Sequence, residues 1–394
     1  MTSQSGCVGS APESGAQPTH PALLRPTWVE VDLDAIAANV AALKAQATSP
    51  GLMAVVKADG YGHGMVPVAR AAMAGGADWL AVALVEEGQS LRAAGVDAPV
   101  LLMAEPPVEA IPALLDARLT PAVYSPAFVE ALSRAALDRG GEPVAVHLKL
   151  DTGMRRVGVP QPSWEDALRQ VRDAPGLLVE GLWSHLAMSS EPGHPFTACQ
   201  AREFRRGVDM AARFGLRPDL LHLCNSGGAL FLHEEHHDMV RTGIAIYGLE
   251  PAPGVAHGCP LRPALSFRSR LSFVKPLAAG EAVSYRLRWA AKEDAVVGTV
   301  PAGYADGVVR GLSNRGEVVL RGGRVPVVGA VCMDQFLVDA TGLGARPGDD
   351  VVLIGAQNGS CVTADDWAAW LGTINYEIVC GIGKRVPRVY VGGP

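Results

Sequence analysis

The chain has 394 residues, 48% of them hydrophobic and 19% charged, which excludes a disordered polymer and leaves room for two cores. A net charge of −6 and a sequence pI of about 5.9 argue against nucleic acid or an anionic membrane as partner. The seven cysteines include no Cys-x-x-Cys pair, a pattern that fits reduced thiols in a cytosol better than a disulfide framework or a zinc site.

Residues 1–26 are rich in Ser, Gly, Pro and Ala and are predicted to be a disordered extension. They lack the basic and apolar regions of a signal peptide, and no run of about 18 apolar residues follows, so a cytoplasmic location away from membranes is expected. From Trp28 onward short apolar runs alternate with amphipathic segments. Strands are predicted at Trp28–Asp32, Leu52–Val56, Trp79–Ala83, Val100–Met103, Thr120–Val123, Val144–Leu150, Leu177–Ser184 and Leu220–Cys224, with a last one near Ile244–Tyr247. About eight strand-helix units over residues 27–255 are the arithmetic of a (β/α)8 TIM-type barrel. After Pro251-Ala-Pro-Gly254 the texture changes. Valine-rich runs at Ala295–Val300, Glu317–Leu320, Val325–Val331 and Val351–Ile354 alternate with turn residues, so residues 256–394 read as a mainly antiparallel β domain.

The chemistry concentrates where barrel strands end. The apolar run Leu52–Val56 ends in Lys57, followed by Ala58-Asp59-Gly60-Tyr61-Gly62-His63-Gly64. A lysine there is either an ordinary loop residue or a desolvated amine, whose lowered pKa suits attack on a carbonyl. The glycines let backbone come close to a ligand. Other strand ends carry Lys149 to Arg156, His185, Asn225-Ser226-Gly227-Gly228 and Arg241-Thr242-Gly243-Ile244. A barrel gathers such ends on one face.

The string Val56-Lys57-Ala58-Asp59-Gly60-Tyr61-Gly62-His63-Gly64 resembles the cofactor-lysine motif of alanine racemases, fold-type III pyridoxal-phosphate enzymes. The resemblance extends over about residues 27–394. It implies that Lys57 holds pyridoxal phosphate as an aldimine and then serves as one of two bases, the D-side one. Ser226 and the Gly243-Ile244 backbone, with Tyr61 and Tyr376, would hold the cofactor phosphate; Asn225 would also bind the cofactor, and His185 would pack near its ring. Arg241 would donate to the pyridine nitrogen, which weakens the ring as an electron sink. Arg156 would bind the substrate carboxylate or the cofactor phenolate, and the Met333 backbone N–H would meet the substrate carboxylate. Lys149, able to carry a carbamate in the family, would stand behind these with His222, Tyr304 and Asp334.

Val283-Ser284-Tyr285 matches the family's tyrosine motif, so Tyr285 would be the L-side base. Gly303-Tyr304-Ala305-Asp306-Gly307, Cys332-Met333-Asp334-Gln335 and Asn375-Tyr376-Glu377 match as well. In the family the tyrosine and the Cys-Met-Asp segment come from a second subunit, which implies a homodimer. The expected reaction interconverts L- and D-alanine, with D-alanine destined for the bacterial cell wall. Arg155, Arg286 and Arg288 depart from the family pattern by adding charge, which bears on substrate range and rate. Rival readings are a same-scaffold amino-acid decarboxylase, a broad-range racemase and a cofactor carrier without turnover. His233-Glu234-Glu235-His236-His237 satisfies the His-Glu-x-x-His spacing, but the run is polar throughout and no metal is expected. Gly381-Ile382-Gly383-Lys384 resembles a phosphate loop only faintly and reads as a connection before the closing strand.

Overall fold

The structure, a computed structural model, describes residues 24–393. The disorder expected of the N-terminal extension therefore falls outside the described residues for positions 1–23. The chain divides into two compact units, one spanning Asp34–Arg262 and the other joining the residues up to Leu33 to Pro263–Gly393.

The Asp34–Arg262 unit is a parallel barrel. Counting the earlier strand Thr27–Asp32 as β1, its strands are β2 (Gly51–Val55), β3 (Trp79–Val82), β4 (Val100–Leu102), β5 (Thr120–Val123), β6 (Val144–Lys149), β7 (Leu177–Trp183), β8 (Leu220–His222) and β9 (Met239–Thr242). Neighbours pair in parallel from β2 through to β8, and β9 pairs with β2. Two backbone bonds, Asp238 to Leu221 and Arg241 to Cys224, bring β8 and β9 together. Strands covered on both faces need apolar residues at successive positions, which is why β2 and β4 read as unbroken hydrophobic runs.

Two strand predictions need correction. The run Ile244–Tyr247 is not the last strand; it is a 3-10 turn with all four residues buried, and an apolar run covered on every side reads the same in either form. The true β9 carries Arg241 and Thr242, polar residues that interrupt the hydrophobic signal. The run at Trp28–Asp32 is a strand, but β1 belongs to the second unit, where it pairs antiparallel with β10 (Leu265–Arg270) and parallel with Arg388–Val391. Its alternating burial towards the C-terminal end is the mark of a strand with one covered face.

Among the described residues the second unit holds a ten-stranded, mainly antiparallel sheet and a separate two-stranded one, Ala282–Val283 with Trp289–Ala290. The valine-rich runs form Ala295–Val300, Glu317–Leu320, Gly323–Val328 and Asp350–Gln357. Leu277, Val283, Ala291, Ala295, Val297 and Val328 make one of its apolar clusters, with Trp289 against it. Cys199, Cys224, Cys259 and Cys332 are unbridged thiols. No helix among the described residues is long and apolar enough to cross a membrane.

Candidate active site

Lys57 leaves the end of β2 half-buried and begins an unusual turn. Ala58 (φ 53°, ψ 50°), Asp59 (φ 52°, ψ 48°), Gly60 (φ 60°, ψ 45°) and Tyr61 (φ 51°) form one turn of left-handed helix. Each non-glycine residue there costs about 1–2 kcal/mol, so the turn persists only where its surroundings hold it. Glu87 does much of that holding: Oε1 accepts from the Ala58 N–H at 2.6 Å, while Oε2 accepts from Ala83 and Leu84. Asp59 closes the far end by accepting from the Met65 N–H at 3.0 Å.

The turn delivers Tyr61 to the start of the segment after β9. Its ring stacks on Tyr247 at 4.9 Å, and the Tyr247 hydroxyl donates to the Val55 carbonyl at 3.0 Å. Gly243 is required here, since a Cβ at that position would stand 2.5 Å from the Tyr61 hydroxyl. Ser226 Oγ accepts from the Gly243 N–H at 2.9 Å, and Asn225 Oδ1 accepts from the Gly228 N–H at 3.1 Å. Ser226 and Ile244 are buried, and Thr242 Oγ1 is buried with no hydrogen bond to the protein. The Tyr61 and Ser226 hydroxyls thus close on the Gly243 backbone, and the Tyr61 hydroxyl occupies the space that a side chain there would need.

Arg241 is 1% exposed, and among the described residues no carboxylate pairs with it. Its Nη2 donates to the carbonyls of Ser184 (2.7 Å) and Leu223 (3.0 Å) and lies 3.3 Å from His185 Nδ1. Its Nη1 lies 3.0 Å from His222 Nδ1, and Nε makes no hydrogen bond to the protein. Burial lowers its pKa to about 9. Lys149, with Nζ 4.0 Å over the Trp183 ring, is lowered to about 7 by burial and then by Arg241, Arg156 and Lys57. Burial and the same cations push half-buried His185 well below the ordinary imidazole range. Arg156 is exposed. So many mutually opposed cations in a buried setting are a demand for anions.

In the other unit the tyrosine motif sits on a strained corner. Ser284 (φ 63°, ψ −177°) and Arg286 (φ 64°, ψ 11°) flank Tyr285, which is 71% exposed. Ser284 Oγ donates to the Ala330 carbonyl at 2.7 Å, tying this corner to the segment that carries exposed Met333. Tyr304 N–H donates to the Cys332 carbonyl, and a Cβ on Gly303 would stand 2.3 Å from the Met333 carbonyl oxygen. Buried Asp306 accepts from Arg25, Arg385 and the Gly303 N–H. Burial would raise that carboxyl, but these bonds outweigh it and hold its pKa low. Arg385 also donates to Asp334 at 2.5 Å. Tyr285, Tyr304, Met333 and Asp334 therefore converge around residues 330–334. Tyr376 lies on the short helix Asn375–Cys380, its phenol pushed up to about 12 by burial.

The His-Glu-x-x-His run forms no zincin helix: His233–Glu235 is a single 3-10 turn, and His237 is left-handed at φ 51°. The sequence reading passed over Glu87, His147 and Glu180. Their one signal was a polar residue inside, or just after, an apolar strand.

A parallel barrel with a strand-end lysine among buried cations, joined in one chain to a tyrosine-bearing β unit, defines a class: enzymes built as a barrel plus a β domain, amino-acid racemases and decarboxylases among them. A family model for the alanine racemase N-terminal domain matches residues 31–251, and one for its C-terminal domain matches 264–390. The chain is 47% identical to the alanine racemase of Symbiobacterium thermophilum over 371 residues, 94% of this chain and 98% of the relative. It is similar to the crystal structure of alanine racemase from D-cycloserine-producing Streptomyces lavendulae, with TM-score 0.90, 39% identity, and coverage of 94% of this chain and 98% of that one. The alanine racemase of Streptomyces coelicolor superposes with TM-score 0.88 at 41% identity, covering 93% and 98%. The chain belongs to the alanine racemase family.

Proposed function

We propose that this chain interconverts L- and D-alanine with Lys57 and Tyr285 as the two bases and pyridoxal phosphate as cofactor. The observation that carries the reading is the buried group of cations around Arg241 and Lys149 at the strand ends, beside the hydroxyl cradle of Tyr61 and Ser226. These residues fit the cofactor: the Tyr61 and Ser226 hydroxyls beside the Gly243 backbone and the unbonded Thr242 hydroxyl suit a phosphate, and the unbonded Arg241 Nε suits a basic ring nitrogen. When bound, pyridoxal phosphate supplies a carbonyl for the amine and a conjugated ring that accepts the electrons released at Cα.

Ser226, Asn225, Tyr61, Tyr376 and the Gly243-Ile244 backbone would hold the phosphate, and Arg241 would donate to the ring nitrogen without surrendering its proton. His185 would pack beside the ring. Arg156 and the Met333 N–H would orient the substrate carboxylate. Tyr285 Oη would take the Cα proton of L-alanine, and Lys57 Nζ would return one to the opposite face; the reverse direction exchanges the roles. Lys149 lowered to about 7 is available as the neutral amine that a carbamate requires.

Replacing Tyr285 with Phe should keep the cofactor absorbance and abolish nearly all D-alanine formation, a loss of about 10²–10⁴-fold. Activity within a few-fold of the parent enzyme would sink the two-base assignment. The same assay bears on the rival readings, since carbon dioxide release in place of D-alanine would mark a decarboxylase. The relatives do not favour that alternative. A homodimer is part of the proposal, supported by the exposure of Tyr285 and Met333, 71% and 53%, in a unit where both are expected to serve a site.

A further inference from the structure

Behind Arg241 the barrel contains a line of polar side chains. Arg241 Nη1 lies 3.0 Å from His222 Nδ1, His222 Nε2 lies 2.8 Å from His147 Nδ1, and His147 Nε2 lies 3.3 Å from Glu180 Oε2. A guanidinium only donates, so His222 Nδ1 must accept and its proton must sit on Nε2. That proton is donated to His147 Nδ1, which puts the His147 proton on Nε2, facing the Glu180 carboxylate. One fixed donor at one end and one fixed acceptor at the other thus determine both tautomers. Among the described residues, the hydrogen-bond line links the Arg241 guanidinium to a carboxylate through two neutral imidazoles.

The fold is shaped around this line. Val146 pairs with Val179 but His147 pairs with Gly181, which leaves Glu180 as the unpaired residue of a β-bulge. A bulge re-aims a side chain that regular alternation would send elsewhere. Gly181 leaves room for the imidazole, because a Cβ there would stand 2.5 Å from the His147 ring. Trp183 stacks on His222 at 5.5 Å and 10°, and Trp79 packs against His147 at 5.3 Å. Burial holds both imidazoles below their ordinary pKa, with Arg241 reinforcing it at His222 and Glu180 opposing it at His147. The other charged groups facing His222 are Lys149 and His237.

We propose that His147 and Glu180 are positioning residues for racemisation: they lock the His222 tautomer that pins Arg241 and leave its Nε available for the cofactor's ring nitrogen. This rests on the reading that places Arg241 at that nitrogen, and it extends the site to residues that touch neither cofactor nor substrate.

Nitrogen-15 NMR of the full-length protein, with histidine assignments from single variants, tests the hydrogen-bond line directly. Both imidazoles should be neutral and protonated on Nε2 at neutral pH; an Nδ1–H or doubly protonated form of either one overturns the proposal. Kinetics of the loaded enzyme test the link to the reaction. Glu180→Leu should lower kcat about tenfold with little change in KM, by analogy with the carboxylate partners of site histidines. Glu180→Gln, which keeps an acceptor, should recover most of that loss. If the tautomers are as expected but both variants keep the parent kcat, the role in the reaction is overturned while the hydrogen-bond line stands. Absence of D-alanine with the parent enzyme would be a separate failure, that of the racemase reading itself.

Discussion

Lys149 carries the clearest pH signature in the barrel. Its amine falls from an ordinary 10.5 to about 7, first through burial and then through Arg241, Arg156 and Lys57. Between those values the unfolded chain binds a proton that the folded chain does not, so the residue adds stability as pH rises from about 7 towards 10.5. Below about 7 both states hold the proton, and the cost of the buried ammonium is constant and complete. Lys149→Met should therefore remove up to about 1.4 kcal/mol per pH unit from the slope of stability between roughly pH 7 and 10. Denaturant unfolding of both proteins across that range measures the difference; parallel curves would overturn the shift. At this scale the sequence offers a candidate where a motif carries the residue, as for Lys57, Arg241 and Tyr285, whose roles are those proposed above. It was silent on His147 and Glu180, because what brings them together is a bulge and a hydrogen-bond line between strands distant in sequence.

Among the elements, the left-handed turn after β2 makes the strongest demand on its neighbours. Gly60, Gly62 and Gly64 announce positive φ in the sequence, but Ala58, Asp59 and Tyr61 adopt it too, and no local propensity calls for that. Glu87 supplies the compensation by accepting three backbone N–H groups, one of them next to Lys57. Glu87→Ala should destabilise the protein by about 1–3 kcal/mol and lower kcat, because the residue following Lys57 loses its tether. Glu87→Gln, with one carbonyl acceptor left, should lose less of both. Denaturant melts beside steady-state kinetics read the two effects; an unchanged Glu87→Ala protein would mean that the turn holds itself. Seven of the eight barrel strands were legible because burial on both faces demands apolar runs. The eighth was missed because β9 carries Arg241 into the barrel, while the neighbouring buried 3-10 turn imitates a strand.

At the scale of the whole molecule, the two proposed bases lie in different compact units, Lys57 in the barrel and Tyr285 in the β unit. Pattern alone separated barrel from β domain, yet it assigned β1 to the barrel, because hydrogen-bond partners far along the chain leave no local trace. The family resemblance implies a site built from two copies, and that has a quantitative consequence. Lys57→Ala and Tyr285→Phe should each be nearly inactive as pure proteins. In a mixed dimer of the two, one composite site pairs the intact lysine of one copy with the intact tyrosine of the other, while the second site has neither. Random reassortment makes about half the dimers mixed, so about a quarter of all sites should recover activity. Unfolding and refolding the variants together, then assaying D-alanine, measures that fraction against parent enzyme treated alike. If both bases instead came from one copy, no mixed dimer would hold an intact pair, and activity would stay at the level of the separate variants.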